Sequence, residues 1–226
     1  MAMSLRHKKF WISFILVDVL LAFALFTLWS LSQENAVSAE LDELGVTLFP
    51  QAQPLSGFNL TDQYNNDADE DLLTGKWSLV FFGFTSCPDV CPLTMRELAR
   101  FYQDYEQPAW PLQVIMATVD PLRDDAAAMA NYLGSIHPEF IGLTGTPAEL
   151  ARFARDLYVV FERRTSAPGD ESHAEHVMLD EDDYSVDHSI HLSLISPEGE
   201  LVAAFRPPHR ARDLARSLPL LIDSLN

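Results

Sequence analysis

The run WSLVFFGF at 77–84 constrains this chain more than any other stretch. A strand with one wet face alternates polar and apolar residues, whereas this run carries no charge and is mostly apolar. Such a run reads as a strand covered on both faces, the arrangement of a mainly parallel sheet packed between helices. It ends in Thr85-Ser86-Cys87-Pro88-Asp89-Val90-Cys91-Pro92, after which Met95, Leu98, Phe101, Tyr102 and Tyr105 recur at helical spacing. A helix therefore starts near Cys91, with Pro92 in its permissive first turn. Both cysteines fall at a strand-to-helix junction.

The same grammar continues. Residues 112–119 (LQVIMATV) predict a second buried strand, 125–133 an alanine-rich helix and 140–143 a short strand, and Thr146-Pro147 opens another helix as N-cap and first residue. Alternating strands and helices predict right-handed parallel units. Strands are then expected over 158–162 and 186–195, and 196–200 (SPEGE) turns into a further strand at 201–205, so this last pair is antiparallel. A helix over 210–222 closes the chain. Ahead of the core, 57–63 predicts a short strand and turn, followed by an acidic surface loop, NNDADED. The expectation is an α/β, thioredoxin-like fold, a central mixed sheet flanked by helices, over residues 54–226.

The first fifty residues differ in kind. From 10 to 31 runs FWISFILVDVLLAFALFTLWSL, broken by one charge, Asp18, and as a helix it spans a hydrocarbon core of about 30 Å. Arg6, Lys8 and Lys9 precede it and Glu34, Glu40, Asp42 and Glu43 follow, so the positive-inside rule keeps residues 1–9 in the cytoplasm. The expectation is one N-terminal transmembrane helix at 10–32, a tether over 33–53, and a globular domain in the periplasm or outside the cell. Val37-Ser38-Ala39 would pass as a cleavage site, but a signal peptide carries a shorter apolar run, about 7 to 15 residues. Asp18 reads as one polar residue tolerated by a long apolar helix.

The net charge is −18, and setting aside Arg6, Lys8, Lys9 and Asp18 leaves −20 for the outer part. Nucleic acid is a poor partner for such a surface, while a metal cation or a cationic protein is drawn to it. Only two cysteines occur, both in the exported part. Two thiols four residues apart do not make a framework that staples a fold; they are placed for redox chemistry or for a metal. A helix N-terminus favours thiolate, so both are expected to be unusually acidic, and positions i and i+4 share one helical face. Two converging thiolates make a clamp for soft metal, copper(I) above all, and an added imidazole also accommodates copper(II).

A third ligand is sought among seven histidines. His7 falls on the cytoplasmic side, and His137 and His209 read as surface residues beside prolines. On a continuous strand His188 shares parity with Ile190, Leu192 and Leu194 and so points inward, while His191 sides with Ser189 and Ser193. That pattern alone leaves a satisfied core histidine and a metal ligand both open.

The strings FFGFTSCPDVCPLTMREL (81–98), TVDPLRD (118–124) and DYSVDHSIHLSLISPEGELV (183–202) together resemble the Sco/SenC family of copper-binding, thioredoxin-like proteins, over roughly residues 54–226. The resemblance implies that Cys87, Cys91 and His188 bind one copper ion per chain. It also implies delivery of copper to the dinuclear copper site of cytochrome c oxidase, or preparation of that site's thiols, with an oxidase subunit or another copper chaperone as acceptor.

Segment 165–182, with His173, His176 and Met178, does not match the family pattern; it reads as a solvated loop, with an auxiliary copper-capturing flap as the alternative. Asp89, Asp120, Arg123 and Asp124 are candidates for orienting the site or meeting a partner, with turn and cap roles equally open to Asp120 and Asp124. The alternative function is a thiol-disulfide oxidoreductase cycling Cys87 and Cys91 through a redox-active disulfide. Three residues between the cysteines, and no proline directly before the strand bearing His188, argue against it.

Overall fold

The computed structural model describes residues 5–105, 110–165 and 184–225. In chain order, α1 (Leu5–Glu43) leads into β1 (Val46–Pro54), β2 (Leu60–Asp62), β3 (Asp67–Ala68) and a short 3₁₀ turn at Glu70–Leu73. Then follow β4 (Trp77–Gly83), α2 (Val90–Gln103), β5 (Leu112–Thr118), α3 (Ala126–Gly134), β6 (Ile141–Thr144) and α4 (Pro147–Asp156). The chain closes with β7 (Phe161–Thr165), β8 (Tyr184–His188), β9 (Leu192–Ile195), β10 (Glu200–Phe205) and α5 (Ala211–Leu225).

Eight strands form one mixed sheet in the order β1-β10-β9-β4-β5-β6-β2-β3. β4, β5 and β6 are parallel, and β9 joins β4 antiparallel. Every residue of β4 and of β5 is buried, as the uninterrupted apolar runs require. Thr146 caps α4 through its hydroxyl, which accepts from the Glu149 N–H, and Pro147 stands at the first position. The thioredoxin-like layout is present.

Four expectations are corrected. The tether at 33–53 is not free chain: β1 pairs antiparallel with β10, and Leu41 and Val46 are almost fully buried. Its weak periodicity is that of an edge strand with one covered face. The loop expected after β2 contains β3 and the 3₁₀ turn, whose Ala68 and Leu73 point into the core.

The strand expected at 158–162 starts only at Phe161, because Tyr158 takes a positive φ of 56° and turns the chain. The single strand expected at 186–195 is two strands. Among the described residues β8 pairs only with β7, in a separate two-stranded sheet, and the ladder resumes at Leu192 in the main sheet. Ser189, Ile190 and His191 form the break, and parity does not carry across it.

Helix α1 exposes Ile15, Leu16, Val17, Val19, Leu20, Leu21, Phe23, Leu25, Phe26, Leu28 and Trp29. The side chains of 5–14 lie outside the described residues, and among the described residues no helix is long and apolar enough to cross a membrane. His173, His176 and Met178 also lie outside them.

Candidate metal centre

The loop that carries Cys87 is anchored from below by one buried carboxylate. Asp124 accepts from the Thr85 N–H (2.9 Å), the Thr85 hydroxyl (2.5 Å) and the Thr118 hydroxyl (2.7 Å), and is itself fully buried. It therefore ties the exit of β4 to the exit of β5. Gly83, the last residue of β4, lies so close to Cys91 that a Cβ there would stand 3.1 Å from its sulfur. Helix α2 then starts at Val90 and buries Cys91 completely, leaving Cys87 half-exposed at the mouth of a cleft.

Cys87 and Cys91 are both free thiols. The Cys91 N–H donates to Cys87 Sγ (3.4 Å), and Cys91 Sγ lies 3.7 Å from His188 Nε2. His188 Nδ1 is 2.9 Å from the Ser189 carbonyl, which can only accept, so Nδ1 carries the proton and Nε2 presents its lone pair to Cys91. Phe81 and Phe84 meet the imidazole edge-on, at centroid separations of 6.1 and 5.8 Å. Among the described residues no three His, Cys, Asp or Glu side chains already stand in a metal-holding group. The trio is joined pairwise, through Cys91.

The electrostatics correct the expectation of an acidic thiol at Cys91. Burial, reinforced by the hydrogen bond with Cys87, pushes the Cys91 thiol well above its ordinary value. The dipole at the helix N-terminus does not make up for lost water. Burial likewise holds His188 below its ordinary value, against the opposing pull of the Ser189 carbonyl and the Asp187 charge. The imidazole is therefore neutral at pH 7, the form that ligates.

The other residues singled out from sequence divide. Asp89 and Arg123 line the cleft together with Phe84, Cys87, Tyr184 and His188. Asp120 and Asp124 are fully buried behind it, and the Asp120 carbonyl accepts from the Arg123 and Asp124 N–H groups, the turn role open to it from sequence. His209 is buried rather than on the surface: its Nε2 donates to the Ile190 carbonyl (2.7 Å), in the break between β8 and β9. His191 supports the same segment through the Leu157 carbonyl (3.1 Å). His137 is half-buried against Tyr102 and Phe140.

Sequence reasoning missed Thr85, Thr118 and Tyr184. The short hydroxyl-bearing residues at the ends of two buried strands were the available signal for the first two. Nothing local marked Tyr184, whose partner lies 64 positions away.

Comparison with known proteins places this arrangement. The family model described as SCO1/SenC matches residues 50–223. A Stutzerimonas stutzeri protein, whose name describes a copper-binding protein, is 35% identical over 199 residues, covering 88% of this chain and 90% of its own. The mouse mitochondrial SCO2 homolog is 35% identical over 163 residues, 71% of this chain, which spans only 59% of that protein. Among solved structures, Bradyrhizobium japonicum ScoI with copper bound superposes with a TM-score of 0.60 at 32% identity, over 74% of this chain and 98% of that one.

Proposed function

Since the chain belongs to the SCO1/SenC family, we propose that it is a membrane-anchored, extracytoplasmic copper carrier that binds one copper ion through Cys87, Cys91 and His188. Its task is to deliver copper to the dinuclear copper site of cytochrome c oxidase, or to prepare the thiols of that site. The observation that carries the reading is the approach of His188 Nε2 to Cys91 Sγ, 3.7 Å, with the Nε2 lone pair free. A cation there takes the place of the thiol proton. Two sulfurs and one imidazole suit copper in both oxidation states.

Copper-bound relatives support the choice of metal: the solved structures of Bradyrhizobium japonicum ScoI and Arabidopsis thaliana ScoI both carry it. The anchor rests on the apolar run at 10–31 and on the outward-facing apolar side chains of α1. The half-exposed Cys87 gives an acceptor thiol its point of entry for ligand exchange, whereas Cys91 and His188 hold the ion from inside. The same pair of free thiols is what a thiol-disulfide oxidoreductase needs, but the raised pKa of Cys91 keeps that sulfur protonated and slow to attack.

The test is anaerobic copper titration of the full chain in detergent. It takes up about one copper per chain, and the copper(II) form shows a thiolate-to-metal charge-transfer band. His188→Ala weakens binding and alters the band. Unchanged uptake by the double variant Cys87→Ser, Cys91→Ser disproves the site, and fast catalytic turnover of a protein disulfide without copper favours the oxidoreductase instead.

A further inference from the structure

Strand β8 carries His188, but among the described residues its one ladder partner is β7, so the ladder of the main sheet does not decide where the imidazole lies. At its His188 end the strand runs into the Ser189–His191 break, held by the Val160 backbone and by His209 and His191. At the other end stands Tyr184. Its hydroxyl donates to Asp120 Oδ1 at 2.5 Å, and Asp120, fully buried on the loop after β5, accepts from Arg123 through its second oxygen. The Asp120 N–H donates back to Thr118 Oγ1 (2.9 Å), which fixes the carboxylate to the end of β5.

Arg123 closes the ring. Its guanidinium lies 4.0 Å from the Tyr184 ring centroid, and Nη1 donates to the Tyr184 carbonyl (3.4 Å). Tyr184, Val186 and His188 share one face of β8 by the two-residue period, and the first two are buried. Four residue steps along the strand separate the clamp from the imidazole, about 13 Å at about 3.3 Å per residue. Among the described residues, Asp120 and Arg123 provide the polar attachments between this end of β8 and the body of the fold.

We infer that Asp120, acting through the Tyr184 hydroxyl and braced by Arg123, is a positioning group for His188: it seats β8 so that Nε2 faces Cys91. The inference rests on the reading of His188 as a copper ligand. The chemistry leaves Tyr184 little choice, because a phenol buried beside a buried carboxylate has no water to turn to. Outer groups that orient a metal-binding imidazole typically govern metal affinity about 10- to 100-fold.

The experiment compares Tyr184→Phe with wild type, His188→Ala, Asp120→Asn and the remote core variant Leu221→Ala, all as full chains in detergent. Each is loaded anaerobically with copper(II). Thermal melts report folding, competition titration reports affinity, and electron paramagnetic resonance reports nitrogen coupling from imidazole.

Tyr184→Phe folds and keeps its thiolate band, but loses nitrogen coupling and binds copper about tenfold more weakly, toward His188→Ala. Asp120→Asn sets an amide N–H group against one of its two donors, the phenol or Arg123, and loses coupling in the same direction as Tyr184→Phe. Leu221→Ala melts earlier with the wild-type spectrum. A wild-type spectrum in Tyr184→Phe or in Asp120→Asn overturns the inference, as does lost coupling in Leu221→Ala. If His188→Ala itself matches wild type, the ligand assignment falls and takes the inference with it.

Discussion

Cys91 Sγ and His188 Nε2 stand 3.7 Å apart across 97 positions of sequence, and the thiol is the proton donor of the pair. The Ser189 carbonyl decides this by accepting a hydrogen bond from Nδ1–H, and burial supports it by raising the Cys91 pKa and lowering that of His188. A proton thus already occupies the position proposed for copper, so metal uptake at Cys91 releases one.

Gly83 is predicted to be intolerant of even one methyl group. A Cβ would approach Phe81 to 2.8 Å and Cys91 Sγ to 3.1 Å, inside a strand that is buried throughout. Gly83→Ala should cost about 1–3 kcal/mol, the usual cost of overpacking, and displace the Cys91 sulfur. Denaturant unfolding and the rate of thiol labelling check both parts; unchanged values in the two would show that the strand yields freely.

Asp124→Ala should cost more. Three donors, the Thr85 N–H and the Thr85 and Thr118 hydroxyls, lose a charged acceptor in a buried position. At about 1.5–3 kcal/mol for a hydrogen bond to a charged group, partly offset by relaxation, the loss is roughly 3–5 kcal/mol, or about 10 °C in Tm for a chain of this size. Asp124→Asn keeps some of these bonds and should fall between. A melt of Asp124→Ala within about 2 °C of wild type would contradict this account of the loop.

Acid should weaken the fold through His209. Burial holds its imidazole below the ordinary value, with His191 nearby acting in the same direction. Above the unfolded pKa, about 6.5, neither state binds the proton and the full stability is present. As pH falls below 6.5 the unfolded chain takes up a proton that the folded chain resists, so stability declines, by at most about 1.4 kcal/mol per pH unit for this one group. His209→Gln, which keeps a donor for the Ile190 carbonyl, should flatten that part of the decline. Denaturant midpoints measured from pH 7.5 down to 5 decide it, and an unchanged slope in the variant would point to other groups.

The segment read as a tether should prove necessary for the fold. A chain begun at residue 36 keeps Leu41, Val46, the β1–β10 pairing and the Arg206–Asp42 and Arg216–Glu40 ion pairs. One begun at residue 55 loses all of these. Two fully buried aliphatic side chains at about 1.5–3 kcal/mol each give a loss of roughly 3–6 kcal/mol. It also leaves β10 as an exposed, largely apolar edge prone to self-pairing. Thermal melts and size-exclusion profiles of the two chains should differ accordingly; matching profiles would mean that β1 merely rests on the domain.

The order of strands and helices was legible because its signals are local. Seven buried residues in a row in β4, the Thr146-Pro147 cap of α4 and the Ser196–Glu200 turn each declare themselves within a few positions. The strand-to-helix junction that holds both cysteines was legible for the same reason. Parity along one long strand turned His188 inward, and the family resemblance made it a ligand; the inward direction holds, but not for the reason of a continuous strand. The strand ends at His188, and the imidazole faces inward as the partner of Tyr184 and Val186 on β8, not of Leu192 and Leu194 on β9.

What the sequence determined by itself, then, was the sheet's core, the place of the two thiols and the family pattern around them. Tertiary structure alone decided that β1 completes the sheet edge, that β8 leaves the sheet, that His209 is buried and that Cys91 holds its proton. Each of these depends on what a distant segment covers: β10 on β1, Asp120 on Tyr184, the Ile190 carbonyl on His209, the whole core on Cys91. Periodicity reports which face of an element is dry. It carries no information about which partner dries it, and that partner sets both the end of a strand and the pKa of a thiol.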